Sequence, residues 1–421
     1  MRIFLGVDGL GRYGELLHEG LSNLGASVDL CDSRPTRDLT KLTPKFNIFQ
    51  LRELFQCSIK SDKSVCYLQP SKSFLDFVDQ YDCFIFYFAD SFYPGMLDIP
   101  LLSKLGKRVI FGSAGEDTIC PYIEQIRGEW RGREHLSDML SKMMPEPVCH
   151  LDLVSKWYSH HNTLSRKMYM IRMVEKYGSC LLPTGASGLA RKPFYRALPI
   201  CDHDLLRRGE QSLKSNIEYP IRLSHYMSNA TTKSSTHIKK LFDSPTLSRL
   251  ATSGLLQLNL SSRLSQADLF ESLLSDHIVV DQLAAYGTLT RQAASLCTIP
   301  CTGPNAESHI YKDGFMTIPS IEIWSDSQFE SQISYLVLNL DALVNYRETV
   351  FNAALSITPE RQAARCLSII KKDIQPDAIN SWANHHLSNA LSRLSVCTSF
   401  ISDIDNSNVL DQIDTHLSSI L

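Results

Sequence analysis

Short apolar runs alternate with stretches of helical spacing along most of the chain, and they do so in two blocks separated by a charged, proline-bearing segment. In the first block, residues 3–7, 27–31, 83–88, 108–111 and 179–182 read as strands. Helical spacing covers 12–24, 96–105 and 155–176. In the second, IRLSH, THIKKLF, LLQLNL, SQADLFESLL, HIVV, TLTRQAASL and TIPCTG give strand, helix, strand, helix, strand, helix and strand. Strands joined through helices run parallel, because the crossover returns the chain to the same edge before the next strand begins. The pattern predicts an α/β chain of two doubly wound, Rossmann-like domains, and 421 residues are too many for one ordinary core. The domains are expected at 1–200 and 201–355, with a helical C-terminal segment over 356–421. Residues 191–220 read as the connection and 34–73 as an irregular insertion with a helix and loops.

Composition narrows the functions such a chain can have. Lys and Arg total 42 against 45 Asp and Glu, a net charge of −3, which argues against a general nucleic-acid binder. There is no long apolar run of membrane-spanning length and no signal-peptide pattern at the first residues. The twelve cysteines are scattered without a C-x-x-C pair, so reduced thiols in a cytoplasmic protein are expected rather than disulfides or structural zinc. The adjacent pairs His160/His161 and His385/His386 point to different helix faces and do not have the spacing of a metal site.

The first strand runs into GLGRYG, which contains Gly9, Gly11 and Gly14 in a G-x-G-x-x-G pattern. Such glycines let the backbone approach a phosphate at the start of a helix, and Asp29 or Asp32 lies where a ribose-binding acid would stand. That spacing admits an NAD(P)-dependent oxidoreductase. It equally admits any open α/β sheet with a glycine-rich first turn. Two similar domains favour a different arrangement, a cleft site built from the carboxyl ends of both sheets. In the second block, DHIVVDQLAAYGTLTRQAASLCTIPCTG puts Asp281 at a strand end and Gly287 before a helix whose first turns offer N–H groups to phosphate.

This stretch resembles the donor segment of the retaining GT-B glycosyltransferases, with Val280-Asp281-Gln282-Leu283, Tyr286-Gly287, Gln292-Ala293-Ala294-Ser295 and Thr298-Ile299-Pro300 on the family pattern in order. IRLSHYMSNATTKSSTHIKKL is similar to a second family segment through His225, Ser228, Asn229 and Lys233. LDIPLLSKLGKRVIFGSAGEDTI is similar to a third through Asp98, Pro100, Gly106, Lys107, Gly115 and Asp117. The resemblance implies a GT-B fold, two Rossmann-like domains facing a cleft, and a helical C-terminal extension. It implies transfer of a sugar from a nucleotide diphosphate sugar to a hydroxyl of a glycan, glycolipid or protein, with retention and without a bound metal or resident cofactor. Surface polysaccharide, glycolipid or protein glycosylation is the setting it suggests.

Within that resemblance, Lys233 would be the cation facing the departing diphosphate, with the Gly287 and Thr288 amides beside it; alone, it reads equally as a solvated lysine. Asp281 would face the cleft or cap the following loop, and Tyr286 would line the nucleotide pocket or pack in the core. Ser228, Asn229 and Gln292 complete the donor set, while Gly9, Gly11 and Asp117 belong to the acceptor side. The departures are specific. The family's ribose-binding glutamate is Gln292, its second cation falls on Ala230, and Ser234 replaces a glycine. A neutral amide lacks the charge-assisted strength of a carboxylate. The weakened set leaves open a non-catalytic GT-B-like partner of an active transferase. Residues 154–178, with Lys156, Arg166, Lys167, Arg172 and Lys176, read either as a solvated basic face or as a peripheral contact with the inner, anionic face of a membrane.

Overall fold

A computed structural model describes residues 1–8, 12–32, 44–62, 65–87, 90–112, 149–159, 163–183, 195–197, 200–227, 235–262, 264–281, 287–303, 318–323, 325–376 and 409–420. The chain forms two compact units, one of Met1–Ala197 with Ala363–Leu421 and one of Leu198–Gln362.

The first unit is built on β1 (Arg2–Asp8), β2 (Ser27–Asp32), β3 (Phe46–Asn47), β6 (Cys83–Tyr87), β7 (Arg108–Gly112), β8 (Ser179–Pro183) and β9 (Tyr195–Ala197). These pair in the order β3-β2-β1-β6-β7-β8-β9, and every pair is parallel. All five residues of β6 are buried, as a strand covered on both faces requires. The core is aromatic. Phe4 lies 4.9 Å from Phe92 and 5.7 Å from Phe77 between ring centroids, and Phe55, Phe74 and Phe84 pack in the same cluster. The helix Tyr13–Asn23 follows β1 and ends at Gly25, whose φ of +81° is a conformation that favours glycine.

Two features differ from the sequence expectation. The irregular insertion holds the expected helix, Ile48–Phe55, and also an antiparallel hairpin, β4 (Ser58–Asp62) with β5 (Val65–Gln69). Of the helix expected over 155–176, the described helix Leu164–Tyr177 covers the later part, while Ser155 ends a separate helix, His150–Ser155. Arg166 is buried with its guanidinium 4.3 Å from the Trp157 ring centroid. Lys156 pairs with Asp152 at 2.9 Å, and Lys176 with Asp411 and Asp414 at 2.6 and 2.8 Å. Three of the five basic residues, Lys156, Arg166 and Lys176, thus have partners within their own unit.

The C-terminal helix Val409–Ile420 packs on this same unit through Val409, Ile413 and Leu417, so the last segment joins the first unit's core. Nine of the described cysteines, from Cys31 to Cys366, are free thiols. No described helix is long and apolar enough to cross a membrane.

The second unit carries β10 (Ile221–Met227), β11 (Leu256–Ser262), β12 (Ile278–Val280), β13 (Ile299–Thr302) and β14 (Ile321–Glu322). They pair in the order β11-β10-β12-β13-β14, all parallel. Its core is mostly aliphatic, with Ile221, Leu223, Ile278, Val280 and Ile299 from the sheet and Phe329, Ile333 and Val337 from the helix Asp326–Leu338. Most of the segment read as a connection belongs here. The helix His203–Leu213 buries Leu205, Leu206 and Gly209, and a Cβ added at Gly209 would stand 2.1 Å from the Ser295 carbonyl oxygen. That close backbone approach fixes this helix against the helix Thr288–Ser295. The helix Pro245–Thr252, capped by Ser244, is a further element the sequence reading did not foresee.

Candidate functional site

Open parallel sheets bind ligands outside the carboxyl ends of their strands, at the point where strand order reverses. In the second unit that point lies between β10 and β12. The segment 228–234, with Ser228, Asn229, Ala230, Lys233 and Ser234, follows β10 directly and lies outside the described residues, as does Tyr286. Asp281 follows β12 directly, and Gly287 opens the helix Thr288–Ser295. The donor set read from the sequence therefore derives from chain segments that leave the two strands flanking the reversal.

Asp281 is fully buried, and its Oδ2 accepts the Thr290 N–H at 3.1 Å and the Thr290 hydroxyl at 2.9 Å. Its own N–H donates to the Cys301 carbonyl at 2.9 Å, which ties the strand end to β13. Asp281 thus caps the first turn of the helix from nine positions upstream and complements the positive helix end. A Cβ at Gly287 would stand 2.4 Å from Asp281 Oδ2, so the absence of a side chain there permits the clamp. Thr288 is exposed, and Gly287 and Gln292 are half-buried. Among the described residues no hydrogen-bond partner is seen for the Thr288 and Leu289 amides, and first-turn amides of this kind are the donors an anion takes.

The ends of the 228–234 segment are held by one ring. His225 is fully buried; its Nδ1 lies 2.8 Å from the Val280 carbonyl oxygen and its Nε2 2.9 Å from Ser235 Oγ. The carbonyl can only accept, so Nδ1 carries the proton, and in the neutral ring Nε2 accepts from the Ser235 hydroxyl. His225 therefore joins β10 to β12 and to the first residue of the helix Ser235–Phe242, on either side of the segment bearing Lys233. The sequence marked His225 without giving it a role.

A second buried polar group lies on the same sheet. Asp276 accepts from Ser224 Oγ at 2.6 Å and from the Tyr226 hydroxyl, and Asn259 Nδ2 donates to Ser224 Oγ at 3.3 Å. Burial pushes the Asp276 carboxyl up to about 6, against the bonds from Ser224 and Tyr226.

In the first unit, Gly9, Gly11 and Asp117 lie outside the described residues. Arg12 follows the glycines with φ +65° and pairs with Glu15 at 3.0 Å. Asp29, one of the two acids a dinucleotide reading needs, is committed elsewhere. Its carboxylate meets Arg2 at 2.9 Å, Lys45 at 2.7 Å and the Tyr81 hydroxyl at 2.7 Å. Burial alone would raise its pKa, but the bonds from Lys45, Tyr81 and Arg2 outweigh it and hold the carboxyl below its ordinary value. Asp98, on the third resemblance segment, is fully buried and accepts from Ser91 Oγ at 2.8 Å, the Tyr93 N–H at 2.9 Å and the Phe92 N–H at 3.3 Å. Burial pushes it up to about 6, so it organises the loop after β6 rather than meeting solvent. Among the described residues no group of three metal-ligating side chains converges.

Two parallel α/β units, each with its strand-order reversal, define the GT-B fold. No protein-family model and no curated protein matches the sequence. Solved structures do: a sucrose-phosphate synthase from Thermosynechococcus elongatus has a TM-score of 0.52 and 10% identity, covering 88% of this chain and 98% of that one. WaaG, a glycosyltransferase involved in lipopolysaccharide biosynthesis, gives a TM-score of 0.46 and 15% identity over 88% of this chain and 99% of its own. An alpha-glucosyltransferase in complex with UDP gives 0.46 and 10% over 88% and 100%. At such identities the likeness is one of fold.

Proposed function

We propose that the protein is a nucleotide-sugar glycosyltransferase, with the second unit holding the donor and the first the acceptor. The observation that carries this reading is the clamped helix start at the strand-order reversal of the second sheet. Asp281 fixes the first turn through Thr290, and the Thr288 and Leu289 amides remain to meet a diphosphate. In the reaction, the bond between the anomeric carbon and the diphosphate oxygen breaks and its electron pair leaves with the diphosphate. The acceptor oxygen bonds to the same carbon on the face the diphosphate leaves, which gives retention, and its proton passes to the departing phosphate without a separate base. Lys233 and the helix-end amides stabilise the charge that builds on the leaving group. Gln292, on the second turn of the helix, takes the ribose hydroxyls with a neutral amide.

Asp29 in its three-partner cluster argues against the dinucleotide alternative. A non-catalytic GT-B-like partner is the second reading, and Gln292 and Ala230 are the residues that favour it. Calorimetric titration with UDP, GDP, ADP and NAD separates the three. One nucleoside diphosphate is expected to bind, with NAD silent. Binding of NAD alone returns the glycine-rich loop to an oxidoreductase role, and no binding at all leaves the non-catalytic partner.

A further inference from the structure

The strand order of the first sheet also reverses, between β1 and β6, and a cluster that no part of the donor reading uses stands beside the carboxyl end of β6. Asp90 follows that strand closely. Its Oδ1 accepts the Ser91 N–H at 3.0 Å and the Tyr158 hydroxyl at 3.4 Å. Among the described residues no partner is seen for its Oδ2, and the side chain is about one quarter exposed, at 24%. Arg52 lies 3.8 Å from Asp90 and donates to the Ser91 carbonyl at 3.3 Å, the Phe92 carbonyl and the Tyr158 hydroxyl at 2.8 Å. Its guanidinium stands 5.7 Å from the Phe49 ring centroid and 5.9 Å from that of Tyr158.

Both rings are open to solvent, Phe49 at 54% and Tyr158 at 52% exposure, yet each lies against a guanidinium anchored to backbone carbonyls. Burial elsewhere in the core does not explain them. What they present together is two exposed aromatic rings, one on each side of Arg52, beside a carboxylate that is only partly exposed and whose pKa burial raises. The buried thiol of Cys31 on β2 lies within electrostatic reach of Asp90 and Arg52, which locates the cluster at the carboxyl edge of the sheet.

We propose that Phe49, Arg52, Asp90 and Tyr158 form a subsite for a neutral sugar ring of the acceptor, a proposal that rests on the transferase reading above. The ring's C–H face lies on the exposed face of Tyr158, beside Phe49, and one of its hydroxyls donates to Asp90. The chemistry disfavours a hydrocarbon chain and a phosphate. A hydrocarbon chain would strip water from the carboxylate without replacing its hydrogen bond. A phosphate would meet the negative charge of Asp90 with Arg52 already committed to carbonyls and Tyr158. A sugar ring supplies an apolar C–H face and a donor hydroxyl at once.

The test is an array of neutral and charged glycans probed with the full-length protein, with and without saturating UDP, alongside calorimetry of UDP and thermal melts. Wild type is expected to retain neutral glycans. Tyr158→Ala and Asp90→Asn should each weaken retention by about tenfold or more, the loss of roughly one good contact. Tyr158→Phe, which keeps the ring face, should stay within about threefold, and all three should bind UDP as wild type does. Binding of UDP with no neutral glycan retained, or retention that survives both Tyr158→Ala and Asp90→Asn, overturns the subsite. Failure of wild type to bind any nucleoside diphosphate overturns the donor reading instead, and glycan retention by the same variants still decides this one.

Discussion

The two sheets share an architecture and differ at their carboxyl edges. The second unit's edge carries a helix start clamped by a buried carboxylate, Asp281 on Thr290, with first-turn amides to spare. The first unit's edge carries exposed aromatic rings set around an arginine and a mostly covered carboxylate, with the neighbouring Asp98 buried to hold the loop. Their cores diverge in the same way, aromatic around Phe4 in one and aliphatic around Ile221 and Val280 in the other. Parallel sheets fix where a ligand goes, and the residues immediately beyond the strand ends decide which chemistry is met there. On the functions proposed above, one edge takes a phosphate-bearing ligand and the other a polyhydroxyl one.

The sharpest way to break this division is Lys233→Ala. If the second edge holds the diphosphate, the variant should lose calorimetrically detectable nucleoside diphosphate binding while melting as wild type does. Unchanged affinity would remove Lys233 from the donor site.

Next in size is the pH dependence carried by one buried acid in each unit. Asp98 and Asp276 are both pushed by burial up to about 6 from 3.8. The folded protein therefore holds those protons more tightly than the unfolded chain. The stabilisation is present in full below the unfolded value and is lost as pH rises through about 6, at roughly 3 kcal/mol for each acid. Denaturant unfolding at pH 4 and pH 7 should show that slope. Asp276→Asn should flatten the share carried by the second unit and Asp98→Asn that of the first. A slope indifferent to both substitutions would contradict their burial.

Smaller again is the clamp itself. Asp281→Ala removes a buried acceptor from two Thr290 donors and should cost about 2 kcal/mol in urea unfolding. Thr290→Val should cost less, and the double variant should fall short of the sum, since both remove one interaction. Full additivity would mean that the two side chains act independently. The smallest effect is Gln292→Glu. If Gln292 contacts the ribose, a charged acceptor in place of a neutral one should tighten nucleotide binding about fivefold, roughly 1 kcal/mol. A loss would show that the amide is the adapted residue.

Much of this fold was legible because apolar runs bounded by turn residues recur at βα spacing. Residues 3–7, 27–31 and 108–111 fall inside β1, β2 and β7, and each strand and helix read in the second block is present. The hairpin was not legible because β4 is almost wholly exposed, and SIKSD carries no alternation for burial to impose. The helix His203–Leu213 was read as part of a connection because its charges mask a narrow buried stripe of Leu205, Leu206 and Gly209. At the site, sequence left Asp281 poised between two roles, and the partner that gives it the capping bonds, Thr290, follows nine residues later. The Arg52, Asp90 and Tyr158 cluster gave no local signal at all. Arg52 and Tyr158 are 106 positions apart, and only the parallel sheet and its flanking helices bring them together.

The most direct test of the division between the two edges is hydrogen–deuterium exchange of the full-length protein with and without UDP. Slowed exchange is expected in peptides covering 287–292 and 228–234, with the first unit's peptides over 12–23 unchanged. Protection confined to 12–23, or appearing there with NAD and nowhere with UDP, would place the nucleotide on the glycine-rich loop and contradict it.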